Sequence, residues 1–170
     1  MQEFLVVDGY NIIGAWPELK QLKITNLEEA RDLLIHKLSE YQSFSGMKVY
    51  VVFDAYQVPG LGKTYNQGRL TILYTKEKET ADELIESLVT GLIGRRKQVY
   101  VATSDMIEQH VIFGAGALRL TANELRRKVQ QSHEEIKGMI KPVKNYTRNT
   151  VSGNMDEKTK AWFEQMRRGK

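Results

Sequence analysis

The stretch EFLVVDGYN, residues 3–11, opens the chain with a run of apolar residues that stops at a carboxylate. An apolar run without alternation, closed by Asp8 and Gly9, reads as a strand buried on both faces, residues 3–8. The same form recurs downstream. MKVYVVFD (47–54) ends at Asp54, and QVYVAT (98–103) runs directly into Ser104 and Asp105. Segments 69–75 and 117–120 supply two further short strands. Helical patterns lie between them. Residues 26–44 place Leu27, Ala30, Leu33, Leu34, Leu38 and Tyr41 on one face and stop at Gly46. Residues 80–95 open with a capping box, Thr80 with Glu83. Residues 106–113 make a short helix and 121–136 a basic one. Strands separated by helices need right-handed crossovers, and these put a mostly parallel sheet under helices on both faces. The chain therefore reads as one α/β domain over residues 1–140. After Pro142 a polar connector is expected (KNYTRNTVSGN), then a basic helix over 156–168 anchored by Trp162, Phe163 and Met166, so that 141–170 form an extension.

A chain of 170 residues with 41% hydrophobic content supports one sizeable core. It has no Cys, which removes disulfides, thiolate metal sites and thiol catalysis. No apolar stretch has the length of a signal peptide or membrane span, so a cytoplasmic protein with no membrane segment is expected. The charge is unevenly placed. Residues 1–118 carry 12 Lys/Arg against 15 Asp/Glu, a balance of −3, while residues 119–170 carry 13 against 6, a balance of +7. A near-neutral body with a basic last third suits a polyanion-binding protein built around a carboxylate site, and equally a solvated helix face with a basic tail.

Asp8, Asp54 and Asp105 occupy equivalent places at or just after the ends of three strands. In an open parallel sheet that edge forms the ligand crevice. Asp82 joins from the first turn of the helix after the third strand, which starts at the same edge. Each has an ordinary alternative: an Asp at a strand end can cap the next helix, Asp82 can complement a helix dipole, and Asn11 can be the N-cap of a short helix after Asp8. The four together repel one another unless a cation or a proton neutralises them. Hard oxygen donors, without Cys or a paired-His spacing, favour Mg²⁺ or Mn²⁺. Such a site suits phosphodiester hydrolysis, with a bound water acidified for attack. Asn11 would orient a water or phosphate oxygen. Thr103 and Ser104 would donate to a phosphate or a neighbouring carboxylate, or simply shape the turn.

VVDGYNIIGAW (6–16), VVFDA (51–55), ETADELIE (79–86) and VATSD (101–105), in this order, resemble the NYN-domain ribonucleases of the PIN-like superfamily. The likeness is to their bacterial YacP-like branch, and FGAGALR (113–119) before a basic helix is similar to that branch too. It covers roughly residues 1–140. The resemblance implies a PIN-like three-layer α/β/α sandwich and a divalent-metal endoribonuclease acting on mRNA in association with the translating ribosome. It implies Asp8, Asn11, Asp82 and Asp105 as the core of the site, with Asp54 contributing, and Asp8, Asp82 and Asp105 as metal ligands.

RNA must be held by cations, because backbone contacts supply most of the affinity. The candidates are Lys63 and Arg69 after Asp54, Arg119 in GALR, and Arg126, Arg127 and Lys128 on the basic helix. Tyr10, Tyr56 and Tyr65 would stack on unpaired bases. PGLGKT (59–64) imitates a phosphate-binding loop but has Gln57 where the first glycine belongs, and a strand rather than a helix follows. His36, His110 and His133 share no metal spacing. A receiver-type signalling domain would need an acidic pair after the first strand, where Asp8 is followed by Gly9. A non-catalytic RNA-binding or ribosome-associated module, with structural carboxylates, is the competing reading.

Overall fold

The structure, a computed structural model, describes residues 1–55, 62–105, 114 and 116–149, the last ten by backbone alone. In chain order the described elements are β1 (Gln2–Asp8), α1 (Gly9–Ala15), α2 (Pro17–Thr25), α3 (Leu27–Ser45), β2 (Lys48–Phe53), β3 (Thr64–Gln67), β4 (Leu70–Tyr74), α4 (Ala81–Leu92), β5 (Lys97–Ala102), β6 (Leu118–Leu120) and α5 (Ala122–Asn149). The sheet order is β3-β4-β2-β1-β5-β6, with β1 near its middle. Five strands are parallel, and β3 pairs antiparallel with β4. This is the mostly parallel α/β architecture expected from the strand and helix pattern.

β1 explains why its apolar run has no polar alternation. Leu5 and Val7 belong to one buried cluster, while Phe4 and Val6 belong to another. Successive strand side chains point to opposite faces, so a strand covered on both sides must be apolar throughout. On one face α1, α2, α3 and the start of α5 contribute Ile12, Leu19, Leu34, Leu38 and Leu125. On the other, α4 contributes Ile85 and Val89. Each fully buried aliphatic side chain of this kind stabilises by about 1.5–3 kcal/mol over exposure.

Helix ends follow local chemistry. Asn26 caps α3, its side chain accepting from Glu29 N at 3.1 Å, and Gly46 closes it in the left-handed region at φ 76°. Thr80 caps α4, accepting from Glu83 N at 3.1 Å and donating to Glu83 Oε1 at 3.2 Å. The helix stops at Leu92 rather than residue 95 because Ile93 turns extended, with ψ 133°. Trp16 is buried, and its indole nitrogen donates to the Ala122 carbonyl at 2.9 Å, tying the α1–α2 corner to the start of α5.

Three features depart from the sequence expectation. The α2 helix was not anticipated, because Gly14 and Pro17 punctuate the segment; Pro17 in fact sits at the helix start, where its missing N–H costs nothing. β3 was not anticipated either. It is a short exposed strand, paired through the turn at Gly68, whose φ is 63°. Helix α5 continues through Pro142 to Asn149, where a polar connector was expected. A proline removes one helical hydrogen bond and bends a helix but need not end it, and no glycine follows until residue 153.

The chain divides into a unit Met1–Gln130, which holds the sheet, and a unit Gln131–Lys170. In the described part of the second unit α5 continues, with Gln131 donating to Glu135 at 3.3 Å one turn on. The expected helices over 106–113 and 156–168, and with them Tyr56, His110, Trp162 and Phe163, lie outside the described residues. Among the described residues no helix is long and apolar enough to cross a membrane.

Candidate active site at the carboxyl edge of the sheet

Strand register brings the expected acidic residues to one edge. Asp8 is the last residue of β1 and lies level with Val52 of β2. Asp54 follows two residues further on. Val7 pairs with Ala102, so Thr103, Ser104 and Asp105 extend β5 beside and beyond Asp8. The three strands are adjacent, so Asp8, Asp54 and Asp105 emerge side by side. Asp8 shares its strand face with Phe4 and Val6, the face that α4 covers. Asp82 lies in the first turn of α4 and is exposed, whereas Asp8, Asp54 and Asp105 are half-buried.

Side-chain hydrogen bonds hold the loops at this edge. Asn11 Oδ1 accepts from both the backbone N and the hydroxyl of Ser104, each at 2.8 Å. Asn11 is thus not the N-cap of α1. Asp8 stands at that position, and its carboxylate makes no capping bond. Capping therefore does not account for Asp8. Thr103 is fully buried and its hydroxyl accepts from Asp105 N at 3.1 Å, shaping the turn. Thr75, also buried, accepts from Ala55 N at 2.9 Å and fixes the chain just past Asp54.

The donors gathered here are carboxylate, amide and hydroxyl oxygens, which suit a hard divalent cation. Among the described residues no three acidic or histidine side chains stand close enough to hold a metal together, so the expected joint ligation by Asp8, Asp82 and Asp105 is not formed. The donor chemistry fits Mg²⁺ or Mn²⁺ of the kind held by one or two carboxylates, with water and substrate phosphate as the remaining ligands.

The expected RNA-binding cations divide. Lys63 is exposed at the crevice end of the sheet, its carbonyl accepting from Tyr74 N at 2.9 Å. Arg69 is at the opposite end, before β4 begins, where it donates to the Gly46 carbonyl at 2.9 Å; it does not join the crevice. Arg119 is exposed on the edge strand β6, level with Val101. Arg126 is engaged by Glu18 of α2, with an Nη2–Oε2 distance of 3.1 Å. Arg127 is exposed. Lys128 borders a cavity of about 230 Å³ with Glu3, Tyr41 and Met47, away from the carboxylates.

Other residues were missed at the sequence level. Lys76 and Lys78 line a cavity of about 410 Å³ at the crevice together with Asp54, Glu77, Glu79 and Thr80, so its carboxylates outnumber its cations. Their signal, the alternating KEKE before the TADELIE helix, looks like any solvated loop. Lys78 is held at φ 67°, a left-handed conformation uncommon outside glycine. Arg31 and Tyr74 are the other omissions. Arg31 Nη1 donates to the Tyr10 hydroxyl at 3.3 Å, and its charge also acts on the Tyr74 hydroxyl. Burial raises both tyrosine hydroxyls above the ordinary value of 10.0, outweighing the guanidinium that lowers them, so both stay neutral near pH 7.

Comparison with known proteins places the chain among close relatives. A family model described as the YacP-like NYN domain matches residues 5–168. The YacP protein of Bacillus subtilis strain 168 is 48% identical over 169 residues, covering 98% of each chain. A crystal structure of Rae1 (YacP) from Bacillus subtilis is similar with a TM-score of 0.74 at 47% identity, covering 98% of this chain and 95% of that one. A single-substitution mutant of the same protein matches with a TM-score of 0.71 at 42% identity, covering 94% and 89%.

Proposed function

The chain belongs to the YacP-like NYN domain family, a nuclease-like family, and from that premise we propose that it is a divalent-metal-dependent endoribonuclease that hydrolyses mRNA in association with the translating ribosome. The observation that carries this reading is the emergence of Asp8, Asp54 and Asp105 from three adjacent parallel strands, with Asn11 holding Ser104 beside them. The resemblance to the YacP-like branch supports the ribosome as partner.

One or two carboxylates among Asp8, Asp82 and Asp105 would hold Mg²⁺ or Mn²⁺, with water and substrate phosphate completing its ligands, and Asp54, just after β2, would add negative charge. The bound ion supplies an acidified water nucleophile and offsets charge on the phosphate. The chain's own groups position the substrate. The amide oxygen of Asn11 is taken by Ser104, which leaves its amide nitrogen to donate to a water or phosphate oxygen. Lys76 and Lys78 would meet a phosphate next to the one being cut, against the opposing charge of Glu77 and Glu79 in the same cavity. Buried Thr75 and Thr103 keep the loops carrying Asp54 and Asp105 at fixed spacing.

The test is cleavage of a labelled mRNA with and without translating ribosomes, in Mg²⁺ or EDTA, by wild type, Asp8→Asn, Asp82→Asn and Asn11→Ala. Cutting should require the metal. Asn11→Ala, which removes a positioning group, should lose about 10–100-fold, and each Asp→Asn variant should lose more while keeping the circular dichroism of the wild type. Wild-type cutting by both Asp variants would overturn the site. The absence of a closed three-ligand cage among the described residues favours one other reading, a non-catalytic RNA-binding module. Its outcome in the same experiment is metal-independent RNA or ribosome binding with no cutting under any condition.

A further inference from the structure

Beside the carboxylates, on the sheet face covered by α3, lies a row of aromatic rings. Tyr10, two residues after Asp8, packs on Phe53 with ring centroids 5.1 Å apart. Phe53 stacks on Tyr74 at 5.6 Å, and Tyr74 meets Tyr65 edge-on at 6.0 Å. The row begins at the crevice, because Phe53 immediately precedes Asp54 and the Asp54 charge is felt at the Tyr10 hydroxyl. It ends in solvent, where Tyr65 on the edge strand β3 is 48% exposed. Arg31 of α3 reaches the row from the side, its Nη1 donating to the Tyr10 hydroxyl at 3.3 Å, close enough to Tyr74 for its charge to act on that hydroxyl.

Core packing accounts for Phe53 and for the ring bodies of Tyr10 and Tyr74, but not for the exposed Tyr65 or for the Arg31 guanidinium at the Tyr10 hydroxyl. A half-buried guanidinium that donates to the neutral Tyr10 hydroxyl is held in place with its positive charge intact. Tyr65 on the outer strand is 48% exposed, so about half of its surface is open to solvent. A positioned cation beside a solvent-exposed aromatic ring matches the two parts of a nucleotide, phosphate and base.

We propose that Arg31, Tyr74 and Tyr65 form a subsite for one unpaired nucleotide next to the bond being cut, Arg31 taking its phosphate and Tyr65 stacking on its base. This deepens the nuclease reading and rests on it for the position of the scissile phosphate. A strand that lays one phosphate over Asp8 and Asp54 and crosses the end of β2 carries its neighbouring nucleotide onto Tyr74 and Tyr65. A base within a duplex has both faces covered by its neighbours, so the subsite selects single-stranded RNA.

The test measures binding of a short fluorescein-labelled single-stranded RNA, and of a hairpin of the same length, to the full chain carrying Asp8→Asn so that RNA is not consumed. Tyr65→Ala should weaken single-strand binding roughly five- to a hundredfold, the worth of one stacked base, and leave hairpin binding nearly unchanged. Arg31→Gln should flatten the dependence of log K on log salt by about 0.7, one phosphate contact on a single strand; Arg31→Lys should restore the slope. A merely structural arginine would not return its salt slope on replacement by lysine. Tyr65 is exposed on a short outer strand, so its variant reports even if Arg31→Gln does not fold. Wild-type affinity and selectivity in Tyr65→Ala overturn the subsite, as does a wild type that binds no single-stranded RNA. Parallel cleavage assays without the Asp8 substitution separate the two proposals. A chain that cuts RNA but is indifferent to Tyr65 and Arg31 loses the subsite alone. One that binds RNA through them but never cuts loses the nuclease reading.

Discussion

Gly9 shows how one residue of the opening motif serves the site through sterics. A Cβ added there would lie 2.3 Å from Cε1 of Phe53, a ring that is itself fully buried. The ring has little room to retreat, since Tyr10 and Tyr74 pack against it. Gly9→Ala should therefore cost about 1–3 kcal/mol, the usual penalty for overpacking a core, and lower Tm by about 2–4 °C for each kcal/mol. Thermal melts of the two proteins check this. An unchanged Tm would mean that the ring shifts without resistance, and the glycine would then need another explanation. The same contact explains why a small residue follows Asp8 directly: β1 ends against the phenylalanine that precedes Asp54, so the close approach of the two carboxylate-bearing segments leaves no space for a side chain.

At the scale of elements, α2 and α5 are joined by Glu18 and Arg126, which share three hydrogen bonds between 3.1 and 3.3 Å. Burial, the largest single influence, pulls the Glu18 carboxyl upward, but the Arg126 hydrogen bonds, a backbone hydrogen bond and the charges of Arg126 and Lys37 together outweigh it and hold the group below its ordinary value of 4.5. A depressed carboxylate stabilises the fold fully above 4.5 and loses that contribution as pH falls below it. Both side chains are about a third exposed, 33% and 32%, so solvent screens the pair and its worth is at most about 1 kcal/mol. Glu18→Gln should lower Tm by a few degrees at neutral pH, and its melting curve should converge on that of wild type once the medium is more acidic than 4.5. A difference that persists unchanged into acid would assign the loss to packing instead. The pairing also alters how the basic helix is read. Arg126 fastens helices together and is not an open contact for RNA.

Across the whole molecule, the balance of −3 over residues 1–118 and +7 beyond them separates a carboxylate-bearing body from a basic last third. RNA affinity that depends on those cations must fall with salt, with a slope of about 0.7 for each phosphate neutralised on a single strand. Arg127 and Lys128 are exposed on α5, so replacing both by Gln should flatten the slope by up to about 1.4 if each takes a phosphate. Binding titrations across a salt series check this, and an unchanged slope would place the RNA path off this helix. Arg69 should have no such effect, because it serves the Gly46 carbonyl at the far end of the sheet.

What the linear order of residues determined by itself was the architecture and the edge at which Asp8, Asp54 and Asp105 emerge. Apolar runs closed by Asp8 and Asp54, or followed by Asp105, specify strands buried on both faces, and the helices between them force those strands parallel. Parallel strands bring their carboxyl ends to one edge whatever the loops do, so the acidic gathering was legible without coordinates. The four motif blocks carried the family. The Thr80 cap and the Gly46 stop were legible too, since they act on their own backbone neighbours within a few residues, whereas Asn26, read as the first helical residue, is in fact the cap before it. Tertiary structure alone decided which polar groups meet across long separations. Asn11 finds Ser104, Arg126 finds Glu18, and Arg31 reaches Tyr10 and Tyr74, pairs brought together by helix packing and strand register. It also decided which cations stand at the crevice, moving Arg69 away and bringing in Lys76 and Lys78. A periodicity records the face on which a side chain lies, but its partner depends on how two elements pack, and no local pattern encodes that.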